Sequence, residues 1–125
     1  MTTIVRAEIS QKNKYWISKH RHYELKHFCL QYHEWKRAHS DLRKAIAPLL
    51  LAKRVAAQTI YSKNIELIER TAKLADPYLY DYILKGVTEG RSYTYMKTVL
   101  GIPCGKDMYY DRYRKFFWLL SETRK

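Results

Sequence analysis

Turn-making residues are scarce in this chain. Its 125 residues include only 4 glycines and 3 prolines, whereas sheet architectures spend both residue types on frequent turns. That scarcity excludes an all-β design and points to long helices with few connections. Cysteine is equally sparse: Cys29 and Cys104 are the whole complement, too few for a disulfide framework. Acidic residues are outnumbered, 12 against 24 Lys+Arg, which leaves a formal charge of +12. No apolar run approaches the ~20 residues of a membrane span, and no leader-like stretch opens the sequence. The expectation is a cytoplasmic protein with no membrane partner.

What is present is more specific. At 46% hydrophobic and 14% aromatic, the chain is too apolar to remain disordered. An excess of cations on so short a chain asks for an anionic partner, of which nucleic acid is the commonest. The excess is uneven. Residues 1–59 carry 12 basic and 4 acidic side chains and all 5 histidines, against 12 and 8 in residues 60–125.

The pattern divides the chain into a basic helical arm over 1–75, for support and dimerisation, and a DNA-binding unit over 76–125. Residues 1–14 lack a cap or a sustained period and read as a frayed end. A helix is expected from Ile17 to about Ala38, capped by Ser18, because Leu25, Phe28, Cys29, Tyr32 and Trp35 form one apolar stripe. Pro48 fits a first turn. It starts a long helix reaching Ala75, with Ile60, Ile65, Leu67, Ile68 and Leu74 among its apolar positions and Ala52, Ala56 and Ala57 allowing close approach. A helix of roughly 27 residues spans about 40 Å. Its spare apolar surface is expected to pack on the first helix, on a second copy of the chain, or on both.

Asp76 and Pro77 form a strong helix start, and Leu79, Tyr82, Ile83 and Val87 make a buried stripe that ends at Gly90. Ser92 caps a second helix with Tyr93, Met96, Val99 and Leu100 facing inward. Gly101 closes it, Ile102 plugs the turn, Pro103 stops the helix and Gly105 caps a third. In that third helix Tyr109, Tyr113, Phe116, Phe117 and Leu120 face inward. Lys106, Asp107, Tyr110, Arg112, Arg114 and Lys115 are assigned to the outer face.

Three helices joined by glycine turns, on so basic a chain, read as a helix-turn-helix, whose last helix offers its N-terminal half to the major groove. Arg112 is assigned to guanine, Arg114 and Lys115 to phosphates, and Tyr110 to a thymine methyl or a phosphate. Ser92, Tyr93 and Lys97 of the second helix complete the expected DNA-contacting set. The fold expected is all-α: an N-terminal helix and a long central helix leading into a C-terminal trihelical unit.

Other chemistry finds less support. His20, His22, His27, His33 and His39 lie close in sequence to Cys29, but no CxxC or HExxH spacing occurs, so no metal is expected and the histidines are assigned to solvent or phosphate. Tyrosines and arginines together suggest a recombinase nucleophile at Tyr109 or Tyr110, but that chemistry needs a much larger domain. No phosphate loop, nucleophile elbow or paired carboxylates occur. The expectation is a binding protein with no cofactor, not an enzyme.

The stretches Lys14–Lys36 and Thr88–Leu120, the latter with its Ile-Pro-Cys…Tyr-Tyr-Asp-Arg block, resemble phage-encoded late-gene transcriptional regulators of the RinA/ArpU type. The resemblance implies a sigma region 4-like C-terminal part and an activator of phage late or packaging genes that works with host RNA polymerase on the nucleoid of a bacterial host. Two other readings remain open: a small terminase-like packaging recogniser, which would form rings, and a basic module that captures an acidic host protein. A homodimer would present its readers to half-sites about 34 Å or a multiple apart.

Overall fold

The computed structural model describes residues 12–44 and 51–124, with side chains for 12–41 and 59–124, and it is all-helical among them. The helices are α1 (Lys19–Leu30), α2 (Tyr32–Lys44), α3 (Leu51–Ala75), α4 (Tyr80–Glu89), α5 (Tyr93–Thr98) and α6 (Lys106–Thr123). The expected start at Pro48 lies outside the described residues, as do the side chains of Ala52, Ala56 and Ala57.

Ser18 caps α1 by accepting the Arg21 N–H at 3.3 Å. The stripe Leu25, Phe28, Cys29 and Tyr32 is buried, with Trp35 partly so. Instead of one helix to Ala38 there are two, broken at Gln31. The Gln31 amide turns to the Phe28 carbonyl at 3.3 Å, while its own side chain donates to the His27 carbonyl at 3.3 Å. The side chain thus satisfies the acceptor that the backbone has abandoned. Past the break, α2 continues to Lys44 and lies along α3.

In α3 the core face is narrow: Ile68, Thr71, Ala72 and Ala75 are buried, and Ile65 and Leu67 partly so. Ile60 and Leu74, counted among its apolar positions, are 57% and 61% exposed. Helix α6 is the hub of the molecule, packed against α1, α3, α4 and α5. Its stripe Tyr109, Tyr113, Phe116, Phe117 and Leu120 is buried as expected. That stripe meets Leu25 and Phe28 from the first half of the chain and Ile83 and Val87 from the second in one continuous core.

A pair of arginines fastens the two halves. The Arg21 guanidinium donates to the Ser121 hydroxyl at 3.1 Å and to the carbonyls of Ser121 and Arg124 at 3.2 and 2.5 Å, satisfying acceptors that the end of α6 leaves open. In return, the Arg124 guanidinium lies 3.7 Å from the Phe28 ring centroid. Both side chains therefore tie the end of α6 to α1. No helix among the described residues is long and apolar enough to cross a membrane.

Candidate nucleic-acid interface

The turn between α3 and α4 fixes one corner of the site. Asp76 Oδ1 accepts the amides of Tyr78 and Leu79 at 2.8 and 3.2 Å, so it caps the turn and α4 begins at Tyr80. Its other oxygen, Oδ2, accepts from Arg112 Nε at 3.0 Å. Burial pushes this carboxyl up, but the two amides and the guanidinium outweigh it and hold Asp76 below its ordinary value.

Two left-handed glycines set the angles that follow. Gly90 (φ 69°) ends α4 and Gly101 (φ 65°) turns the chain after α5, geometry that a side chain disfavours. Ser92 caps α5 by accepting the Tyr95 amide at 3.2 Å. Ile102 plugs the second turn, 1% exposed, and its amide bonds Met96 O at 3.0 Å. Val99, assigned inward, is instead 61% exposed: α5 ends at Thr98 and Val99 belongs to the turn.

Several side chains assigned to DNA make contacts within the fold. Tyr110 is 5% exposed and its hydroxyl accepts the Tyr93 amide at 3.3 Å. Its outward assignment is corrected: it lies 100° round the helix from buried Tyr109, on the core side. Tyr93 spans the α5–α6 turn, donating its phenol proton to Cys104 O at 2.7 Å. Arg112 also departs from its assigned outward role. Its Nε and Nη1 donate to Asp76 and Asp111, which anchors the guanidinium to the fold and counters its charge.

What remains open to a ligand is narrower. Lys97, Lys106 and Asp107 are exposed, and Arg114 and Lys115 are partly so. Electrostatics separates these cations from the rest of residues 76–124. Glu89 draws in Lys85 at 3.2 Å, Arg91 at 3.3 Å and, from α2, His33 at 3.6 Å. Arg112 is held by Asp76 and Asp111, and Arg124 by the Phe28 ring. Lys97, Lys106, Arg114 and Lys115 have no acidic partner among the described residues. Cys104 links the two helices electrostatically: burial and Asp76 push its thiol up, while Lys97 and Arg112 oppose them.

Three apolar side chains of residues 76–124 are exposed though the sequence reading marked none of them so: Tyr78 at 94%, Val99 at 61% and Met108 at 44%. The signal for Met108 was available, since it falls outside the 109–113–116–117–120 stripe, but its apolar type masks it. The histidines do not behave alike. His22 is buried, its ring 4.9 Å from Phe117, contrary to the assignment of the histidines to solvent or phosphate. No group of three or more His, Cys, Asp or Glu side chains among the described residues is placed to hold a metal ion. Tyr109 is wholly buried. No protein-family model, curated protein or solved structure matches this chain.

Proposed function

We propose that this chain binds double-stranded DNA as a sequence-specific transcription regulator, with α4 to α6 acting as a helix-turn-helix that presents α5 and the first half of α6 to the duplex. One observation carries the reading. Within residues 76–124 the fold pairs Lys85, Arg91 and Arg112 with carboxylates while leaving Lys97, Lys106, Arg114 and Lys115, all on α5 and α6, without acidic partners among the described residues. Cations left unpaired on two adjacent helices suit the phosphates that flank a groove. The net charge of +12 supports the same partner. The resemblance of residues 14–36 and 88–120 to phage late-gene regulators adds a setting, activation beside host RNA polymerase in a bacterial cytoplasm.

Counterion release supplies the test. Each neutralised phosphate contributes about −0.9 to the slope of log K against log salt, so these cations together give roughly −3.6. Lys115→Ala should lower that slope by about 1 on every sequence. Binding to the chain's own upstream DNA and to a scrambled duplex of equal length should differ by at least about tenfold at each salt. Equal affinities throughout would remove the sequence-specific reading, and absence of binding to either duplex would remove DNA as the partner.

A further inference from the structure

We infer that Met108 is a specificity-determining residue of this same surface, packing against the 5-methyl group of a thymine in the major groove. The inference rests on the DNA-binding reading above and replaces the base readers that the fold has withdrawn. Tyr110 is buried and Arg112 is committed to Asp76 and Asp111. Among the large apolar residues of α6, Met108 alone is exposed, at 44%, in its first turn. All the others are at least partly covered.

Its surroundings indicate the chemistry of what covers it. Lys106 in the same turn, and Lys115, seven residues on and therefore on the same face of α6, have no acidic partner among the described residues. An apolar tip on a helix that also carries unpaired cations suits a ligand that is anionic at its edges and apolar between them. A duplex groove is such a ligand, with phosphate walls and thymine methyls on its floor. Asp107 sharpens the orientation, because an exposed carboxylate in this turn repels phosphate and accepts from base amino groups, which favours base edges over backbone. An unbranched thioether adapts its shape to such a contact.

The experiment selects duplexes from a random library with the full chain. The best duplex is then remade with deoxyuridine replacing each thymine in turn, which removes one methyl group and nothing else. Wild type should bind about fourfold more weakly at one or two of these positions, the equivalent of one buried methyl. Met108→Ala should bind the parent duplex more weakly by a similar factor and be indifferent to deoxyuridine at those positions, with an unchanged salt slope. Exposure of the side chain leaves the core intact in this variant, and a circular dichroism spectrum confirms folding. Uniform tolerance of deoxyuridine by wild type, or equal sensitivity in wild type and Met108→Ala, overturns the inference while DNA binding stands. A library in which no duplex is enriched overturns the sequence-specific reading and the inference with it.

Discussion

Gly86 and Tyr109 illustrate how little freedom the core has at single positions. A Cβ built on Gly86 would lie 2.1 Å from the Tyr109 hydroxyl oxygen and 3.4 Å from Met96 Cε. Tyr109 is fully buried and packed on Tyr93, Tyr110 and Tyr113, so it has nowhere to retreat. Gly86→Ala should therefore destabilise the protein by about 2 kcal/mol, in the range typical of overpacking. Tyr109→Phe removes the clashing atom, so adding it to Gly86→Ala should recover much of that loss. Chemical denaturation of the two single variants and the double variant measures the coupling. Additive losses would show that the clash is relieved by some other route. Gly101 differs in kind: nothing lies within 4 Å of a Cβ there, but φ is 65°. Gly101→Ala should cost only the left-handed backbone penalty, about 1 kcal/mol.

Asp76 and Arg112 give a residue-level prediction with a pH signature. Burial raises the Asp76 carboxyl, but the Tyr78 and Leu79 amides and Arg112 lower it more, so the folded protein holds it below its unfolded value. A depressed carboxyl contributes its full stabilisation above the unfolded value of about 3.9 and loses it as pH falls through the folded one. Glu89 has the same sign: burial raises it, while hydrogen bonds from Lys85 and Arg91 and the nearby His33 bring it down. Stability should thus be flat in this respect near neutrality and fall below about pH 4. Asp76→Asn keeps an acceptor for the turn amides but loses the charge. It should cost about 1–2 kcal/mol at neutral pH and make the acid limb of urea midpoint against pH shallower. An unchanged acid limb would mean that the Arg112 pair contributes nothing to it.

At the scale of elements, the signals with a local physical cause were legible. Ser18 and Ser92 carry the side-chain oxygen that a cap needs, and Gly90 and Gly101 occupy positive φ because a side chain there is strained. The 109–113–116–117–120 stripe follows from helical spacing alone. What stayed hidden depends on partners distant in sequence. The break at Gln31 arises because a side-chain amide replaces a backbone donor, which the apolar stripe running across residues 25–35 does not reveal. The commitment of Arg112 depends on a carboxylate 36 positions earlier. Tyr110 sits inward because α5 brings the Tyr93 amide to its hydroxyl. An amphipathic residue at the edge of a stripe carries no mark of which side it will take. The candidate site was therefore legible in its location and charge, less so in which side chains remain available to a ligand.

For the whole molecule, the division between an arm and a reading unit meets a shared core. Phe116, Phe117 and Leu120 of α6 are buried in the same cluster as Leu25, Phe28 and Tyr32, and Phe117 also meets the His22 ring edge-to-face. Arg21 satisfies the end of α6, and Arg124 covers Phe28. Removing residues 1–75 would expose that side of α6 and open its last carbonyls to solvent. Burying a large side chain contributes about 1.5–3 kcal/mol, so losing the cover over several of them exceeds the stability margin typical of a small domain. Residues 76–125 expressed alone should therefore keep partial helicity but show broad, weakly cooperative unfolding and bind a fluorescent apolar dye. The full chain should unfold in one transition reported alike by far-ultraviolet dichroism and by the fluorescence of its tryptophans, of which Trp16 and Trp35 lie in the first half and Trp118 in the second. Two separate transitions in the full chain, or a sharp cooperative one in the fragment, would mean that the core joining α1 to α6 is not what holds α6 in place. Because the fragment would also lose the fixed geometry of Lys106, Met108 and Lys115, its DNA affinity should become indifferent to sequence while retaining part of its salt dependence.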